Sequence, residues 1–124
     1  MSTQQKTMTT QEVANRLVSL CREGKVLEAG EELYADNIVS HESPPSPNLL
    51  ATGKKEVRAK GNQFAEMIEA HHGAKISDPM VVGNYFTITW SMDVTMKGQG
   101  RSTMEEIDVY KVQDGKIVEE WFHY

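Results

Sequence analysis

Acidic side chains lie within two segments near the end of the chain that otherwise have the composition of β-strands. They are Glu105, Glu106 and Asp108 in the first segment and Glu119 and Glu120 in the second. When one carboxyl group is buried in apolar surroundings beside another, desolvation and mutual repulsion raise at least one pKa. One carboxyl then remains protonated as a hydrogen-bond donor while another acts as a base. Such a pair suits the removal of a proton next to a carbonyl group, or the elimination of water.

A β-hairpin is predicted to carry these acids, because Asp-Gly at positions 114 and 115 is a strong turn signal between segments rich in β-branched and aromatic residues. A two-residue turn would pair Asp108 with Trp121, whereas a three-residue loop would pair Asp108 with Glu120. Both registers leave Glu106, Asp108 and Tyr110 on one face of their strand, because alternate residues of a strand share a face. The sequence thus predicts a face with two carboxyl groups and a phenol.

Three helices are predicted before the main run of strands. The first follows Thr9, which can form a capping box with Glu12. The second extends from Val26 to about residue 34, and the third from Lys54 to about His71, where apolar residues recur every three or four positions. Helices followed by antiparallel strands indicate an α+β domain whose helices pack on one face of a sheet.

The segment from 85 to 96 alternates strictly between apolar and polar residues, which predicts a strand. Its apolar face would carry Phe86, Ile88, Trp90, Met92, Val94 and Met96. Side chains of this kind form the core beneath helices, and where a pocket separates helices from sheet they also line the pocket.

The composition is that of a globular domain and argues against several classes of function. The chain has 124 residues and a net charge of −5, which disfavours a nucleic-acid surface and docking on anionic lipid. No apolar segment approaches the roughly 18 residues of a membrane span. The one cysteine, Cys21, cannot form an intramolecular disulfide. We therefore expect a cytoplasmic protein with a flexible tail at residues 1–9 and a single domain at 10–124.

The order of these elements and four phrases resemble the nuclear-transport-factor-2-like superfamily, in particular its SnoaL-like and ketosteroid-isomerase-like members. The phrases are "LYADNIVSHES", "TGKKEVRAKGNQF", "IDVYKV" and "DGKIVEEW". The resemblance covers nearly the whole chain, from about residue 10 to the last residue. It implies a cone-shaped, cystatin-like fold in which a curved antiparallel sheet wraps about three helices and encloses a pocket.

The resemblance also implies roles for two carboxyl groups. Glu42, in "LYADNIVSHES", falls where ketosteroid isomerases place a general base, and Asp108, in "IDVYKV", falls where they place a protonated hydrogen-bond donor. A first-helix tyrosine of those enzymes is absent, because Leu17 occupies the matching position. We therefore predict Glu42 as base and Asp108, with Glu106 as the alternative, as proton donor.

The remaining site predictions concern contacts with the substrate. The resemblance favours the three-residue loop and places Glu120, Phe122 and Tyr124 of the last strand in the pocket. The full set of predicted substrate contacts is His41, Trp90, Met92, Tyr110, Glu120, Phe122 and Tyr124. The histidines show no metal-binding spacing, so we expect neither a metal ion nor an organic cofactor.

Two functions follow from these residues. The first is an acid/base enzyme of the isomerase, cyclase or dehydratase type that acts on a small hydrophobic carbonyl compound. The alternative is a module without catalysis that binds an apolar ligand or a protein partner. In either case apolar residues on the outer sheet face, such as Ile107 and Trp121, predict a homodimer formed through the sheet. Glu105 and Glu119 are expected on a solvated face, and Glu42 has the further alternative of bonding loop amides.

Overall fold

The computed structural model describes residues 7–124, and it has the three helices followed by strands that the sequence predicts. The helices are α1 (Thr10–Arg22), α2 (Val26–Leu33) and α3 (Lys54–Met67). The strands are β1 (Tyr34–His41), β2 (Leu50–Thr52), β3 (Ile68–Ile76), β4 (Met80–Val82), β5 (Tyr85–Met96), β6 (Gly100–Gln113) and β7 (Lys116–His123).

Helix α1 begins where the capping box predicts. Thr9 Oγ1 accepts a hydrogen bond from the backbone N–H of Glu12 at 3.1 Å, and the Glu12 carboxylate accepts one from the Thr9 N–H at 2.9 Å. The buried side of the helix carries Val13, Leu17 and Leu20, which recur every three or four residues as an amphipathic helix requires.

The curved sheet wraps these helices in the cone-shaped α+β arrangement that the sequence predicts. Its strand order is β2-β1-β7-β6-β5-β3, with β4 paired to β5 beside β3. One pair departs from the expected antiparallel sheet, because β1 and β7 run parallel. A parallel pair needs a long connection between its strands, and here nearly the whole fold provides that connection.

The hydrophobic core lies between α1, α2 and the concave sheet face. Its largest fully buried apolar side chains are Leu33, Ile38, Phe86, Ile88 and Ile117. The predicted alternation in β5 holds, since Phe86 and Ile88 belong to the core while Tyr85 is exposed. Three polar side chains are also almost fully buried, namely Ser40, Asp108 and Glu120.

The third helix is shorter than predicted. It ends at Met67, and His71 lies in strand β3 rather than in the last turn of the helix. At Ile68 the backbone becomes extended (φ −80°, ψ 116°) and pairs with Met96 of β5. The spacing of apolar residues every three or four positions continues past Met67, but pairing with β5 determines where the helix ends.

The favoured three-residue register is wrong throughout, and the two-residue register is correct only beside the turn, where Gln113 faces Lys116 and Val112 faces Ile117. Asp114 and Gly115 form a two-residue turn with positive φ values of 51° and 75°, as a type I′ turn requires. A register shift then occurs in the ladder beyond Val112, so that Tyr110 faces Glu120 and Asp108 faces Phe122. A bulge of this kind inserts one residue into one strand and is not visible in the alternation pattern.

The prediction of a flexible tail at residues 1–9 is wrong for the last residues of that segment. Met8 packs against the core and Thr9 caps α1, whereas residues 1–6 lie outside the described residues. Among the helices of residues 7–124, none is both long and apolar enough to cross a bilayer.

Candidate active site

A cavity of about 1110 Å³ lies between the helices and the concave face of the sheet. Its apolar wall includes Leu17, Phe64, Ile68, Trp90, Met92 and Met104. Three predicted acids, Glu42, Glu106 and Asp108, also line it, together with Tyr34 and Tyr110. The cavity is therefore an apolar chamber with a group of carboxyl and phenol side chains in its wall.

Asp108 is the most strongly perturbed acid of this group. Its side chain is 1% exposed, and Tyr110 Oη donates to its Oδ2 at 3.3 Å, while Oδ1 has no hydrogen-bond partner among the described residues. Burial, followed by the nearby Glu106 carboxyl, raises the pKa of Asp108 to about 10. Asp108 is therefore protonated at neutral pH.

Glu106 shares the inner face of β6 with Asp108, two residues away. Burial is the main cause that raises the pKa of Glu106, and the charge of Glu42 adds to it, whereas the neighbouring Asp108 and the Lys60 ammonium act in the opposite direction. Glu106 is thus a second carboxyl with a raised pKa beside the first.

Glu42 follows the end of β1, two residues beyond the buried Ser40. Its Oε1 lies 3.0 Å from Lys60 Nζ in an ion pair, and its Oε2 accepts a hydrogen bond from Tyr124 Oη at 3.1 Å. The expected alternative, in which Glu42 bonds loop amides, is not what the structure shows: both contacts are with side chains that hold the carboxylate in the cavity wall.

Glu120 is predicted to contact substrate, but it lies behind the cavity wall and is 1% exposed. Tyr34 Oη donates to its Oε1 at 2.5 Å, and Ser40 Oγ donates to its Oε2 at 2.7 Å. Burial raises the pKa of Glu120, against the effect of these two hydroxyl donors and of the Lys60 ammonium. Lys60 Nζ itself donates to Ser40 Oγ.

The other predicted substrate contacts divide between the two faces of the sheet. Trp90, Met92, Tyr110 and Tyr124 line the cavity. Phe122 is on the inner face but lies outside the cavity wall, edge-on to Tyr110 with ring centroids 6.4 Å apart.

His41 does not reach the cavity. Its ring stacks on Trp121 at 5.3 Å between centroids, and its Nε2 lies 2.6 Å from Glu119 Oε2. Since Glu119 and Trp121 alternate with the inward-facing Glu120, this cluster belongs to the outer sheet face. Glu105 is exposed at the rim of the cavity, in line with the solvated position expected of it.

Sequence reasoning did not select Tyr34, Ser40 or Lys60. Lys60 follows Val57 by three positions on α3 and therefore lies on the same, inward face of the helix. A lysine on that face was the signal that could have identified it from the sequence. Ser40 and Tyr34 gave no local signal, because their common partner Glu120 is more than 70 residues away in the sequence.

Among the described residues, neither a cluster of metal ligands nor a reactive thiol is found in the cavity wall. Within residues 7–124, no three side chains of the His, Cys, Asp or Glu type are grouped so that they could hold a metal ion. Cys21 lines the cavity, but burial raises the pKa of its thiol to about 12, so it is not a thiolate nucleophile at neutral pH. The carboxyl and hydroxyl groups in the cavity wall can transfer protons.

The sequence matches the model of one protein family over residues 8–124, and that family is described as the SnoaL-like domain. None of the curated proteins with which it was compared matches it.

Solved structures give the same result for the fold. A candidate SnoaL-like polyketide cyclase from Mesorhizobium loti is 37% identical, with a TM-score of 0.89 over 94% of this chain and 100% of the other. A protein with a cystatin-like fold from Xanthomonas campestris is 18% identical (TM-score 0.79; 93% and 89% covered). A protein of ketosteroid isomerase-like fold from Catenulispora acidiphila, solved with trimethylamine, is 17% identical (TM-score 0.72; 94% and 87% covered). The last two likenesses concern the fold alone.

Proposed function

The chain belongs to the SnoaL-like domain family, and we propose that it is an acid/base enzyme acting on a hydrophobic carbonyl compound without a metal ion or organic cofactor. In this proposal Glu42 removes a proton next to the carbonyl group, and Asp108 donates a hydrogen bond to the oxygen that gains negative charge. The product is an isomer, a cyclised compound or an eliminated one, according to where the enolate reacts next.

The observation that carries the proposal is the state of Asp108 in the cavity wall. Lys and Arg side chains would stabilise an oxyanion by charge, but a neutral carboxylic acid does so as a strong hydrogen-bond donor. Tyr110 donates to Oδ2, so this oxygen acts as an acceptor and the acid proton belongs on Oδ1. That atom is buried and has no hydrogen-bond partner by distance and angle among the described residues, although the nearby Glu106 carboxyl interacts with the same acid; in this proposal the oxygen of a bound ligand becomes its partner.

Glu42 suits the complementary role because it is held in place by two side chains. The ion pair with Lys60 and the hydrogen bond from Tyr124 fix both carboxylate oxygens, and such orientation is what a general base requires. The cavity of about 1110 Å³ is large enough for a ligand of several rings.

The test measures exchange of the hydrogens next to the carbonyl group of 2-tetralone, an apolar two-ring ketone, for deuterium in D₂O by proton NMR. Glu42→Gln is expected to slow exchange by about 10² or more, the usual contribution of a general base. Asp108→Leu is expected to slow it by about 10²–10³, as loss of an oxyanion donor does. Asp108→Asn keeps a neutral donor and should retain exchange within about tenfold of the wild type. Glu119→Gln, on the outer face, is the matched control and should leave the rate unchanged.

Two results would contradict the proposal. If Asp108→Asn is as slow as Asp108→Leu, Asp108 acts as an ionised base rather than a neutral donor. If the wild type binds the ketone but does not exchange its hydrogens above the buffer rate, the cavity is that of an apolar-ligand-binding module. The apolar wall of the cavity supports that second function, because an apolar cavity can hold a hydrophobic compound whether or not a reaction follows.

We propose further that two copies associate through the outer sheet face. Ile107 and Tyr85 are 51% and 45% exposed there, beside the half-buried Trp121. Exposed apolar and aromatic side chains grouped on one sheet face are typical of an interface.

A further inference from the structure

The inner face of β6 follows the cavity wall from its buried end to its mouth. In that direction it carries Tyr110, Asp108, Glu106 and Met104, all of which line the cavity. Tyr110 and Asp108 are 4% and 1% exposed, Glu106 is half-buried, and Met104 is 38% exposed. A ligand that reaches Asp108 from the mouth therefore lies against Glu106.

Glu106 is a carboxyl group without a counter-ion. It forms no ion pair with any of residues 7–124, and the Lys60 ammonium, whose charge acts on it, is already paired with Glu42 at 3.0 Å. The neighbouring Asp108 lowers the pKa of Glu106 but carries no positive charge. Burial nevertheless raises the pKa of Glu106 above its usual value, as expected of a carboxylate whose charge no cation matches. Such a charge is costly in an apolar wall unless a ligand neutralises it.

The indole ring of Trp90 is the neighbour of this carboxyl group across the sheet. Trp90 and Glu106 are directly paired residues of β5 and β6, and both line the cavity. Side chains paired in this way have Cβ atoms about 4.5–5.5 Å apart. Among the described residues, the one cation placed over an aromatic ring is Lys60, over Phe122. The ring of Trp90 thus has no cation of the described chain over it.

A carboxylate beside an indole ring is the chemistry that recognises an organic ammonium ion. The carboxylate attracts the positive charge, and the face of the indole ring binds alkylammonium groups. A metal ion needs several ligands, and within residues 7–124 no three metal-binding side chains are grouped together. The apolar wall suits a cation that carries a hydrocarbon body.

A second observation that points to a ligand lies two residues away from Glu106. Asp108 Oδ1 is buried and has no hydrogen-bond partner by distance and angle in the described part of the chain. Residues two positions apart on a strand are separated by about 6.6 Å along it. One small molecule can therefore contact both carboxyl groups at once.

We propose that the cavity binds an amino ketone, whose ammonium group lies between Glu106 and Trp90 and whose carbonyl oxygen lies on Asp108. The carbonyl contact rests on the proposed function, whereas the ammonium contact rests on Glu106 and Trp90. The substrate class is then a hydrophobic ketone with a basic nitrogen a few bonds from its carbonyl carbon. Glu106 is the residue that determines specificity for the charge.

The test compares two compounds of one shape: 2-aminotetralin, which is an ammonium ion at neutral pH, and the neutral alcohol 2-tetralol. In calorimetric titrations the wild type should bind the amine about tenfold more tightly, since hydrogen bonds to charged groups are stronger than neutral ones. Glu106→Gln should abolish this preference and leave binding of the alcohol within about twofold. Trp90→Leu should reduce the preference about threefold, as loss of a cation–π contact does.

Glu105→Gln is the matched control, because it removes the same charge from the adjacent, exposed residue. It should keep the preference within about twofold, since solvent and salt screen an exposed charge. Equal binding of the two compounds by the wild type would overturn the inference, and so would binding of neither. A preference that survives in Glu106→Gln would also overturn it. If Glu106→Gln binds neither compound, Trp90→Leu decides, and an unchanged preference in that variant would count against the site.

These titrations involve no reaction, so their result is separate from the hydrogen exchange of 2-tetralone. A preference for the amine without exchange would remove the proposed chemistry and keep the ammonium site. Exchange without a preference for the amine would do the reverse.

Discussion

Replacement of Asp108 by Asn is expected to stabilise the fold at neutral pH, although it changes a residue of the candidate site. Asn has the shape of Asp, accepts the hydrogen bond from Tyr110, and never has to give up a proton. The folded wild type, by contrast, keeps Asp108 protonated because its pKa is raised from 3.8 to about 10.

The size of the effect follows from proton linkage. Below pH 3.8 both the folded and the unfolded chain carry the proton, so the raised pKa costs the wild type nothing. Above that pH the unfolded chain releases the proton and the folded chain keeps it, which lowers the free energy of unfolding by about 1.4 kcal/mol per pH unit. At pH 7 the loss reaches about 4 kcal/mol, and it continues until the pH passes the folded pKa.

The assay is urea-induced unfolding of wild type and Asp108→Asn at pH 4, 5.5, 7 and 8. Contributions that do not depend on pH cancel when the difference between the two proteins is compared across pH. The variant's advantage should grow by about 4 kcal/mol between pH 4 and pH 7. At pH 7 that corresponds to a rise in melting temperature on the order of 10 °C.

Asp93→Asn provides a control of opposite sign. The hydrogen bond from Arg101 lowers the pKa of Asp93, so Asp93 contributes stability above its unfolded pKa that is lost as the pH falls. Its replacement should therefore destabilise slightly at pH 7 and have no effect at low pH. A difference between wild type and Asp108→Asn that stays constant from pH 4 to pH 8 would refute the protonated state of Asp108, and with it the donor role.

Two further predictions concern the turn and the outer face. Gly115→Ala should destabilise the fold by about 1–3 kcal/mol, measured by thermal melting. A Cβ at this position would lie 2.8 Å from Thr7 Cγ2 and 3.1 Å from Met8 N, and the backbone φ is 75°. An unchanged melting temperature would contradict this packing. Ile107→Lys should shift a dimer towards monomer on a sizing column without changing the melting curve of the monomer, whereas a wild type that elutes as a monomer at all concentrations would disprove association through this face.

Much of the candidate site was predictable because strand alternation is a local property. Glu106, Asp108 and Tyr110 share a face in any register. Glu120 was expected on the inner face from a three-residue loop, but it lies there because a bulge at Val118 follows a two-residue turn. The resemblance added Glu42, which the residues alone could not connect with Asp108 across 66 positions.

The failures of prediction arise where distant parts of the chain meet. The extra residue Val118 shifts the partners along β6 and β7 and interrupts the alternation of β7, because Ile117 and Glu120 are both buried although three positions apart. The end of α3 at Met67 is set by pairing of Ile68 with Met96. Local spacing carries no information on either event, since both depend on which strand lies alongside.

The polar contacts of Lys60 were hidden for the same reason. Ser40 and Glu120 are directly paired residues in the parallel ladder of β1 and β7, and only this pairing places a serine between the lysine and the buried carboxyl. The predicted antiparallel sheet gave β1 no such partner.

The parallel pairing of β1 and β7 also sets an order of events in folding. Strand β7 lies between β1 and β6 in the sheet, and Ser40 and Glu120 are separated by 80 positions. Closing so long a loop costs entropy before any contact is gained, so pairing of this kind forms late. A chain caught before β1 pairs with β7 would lack the contact between Ser40 and Glu120, and competence of the site therefore arises together with this late step of folding.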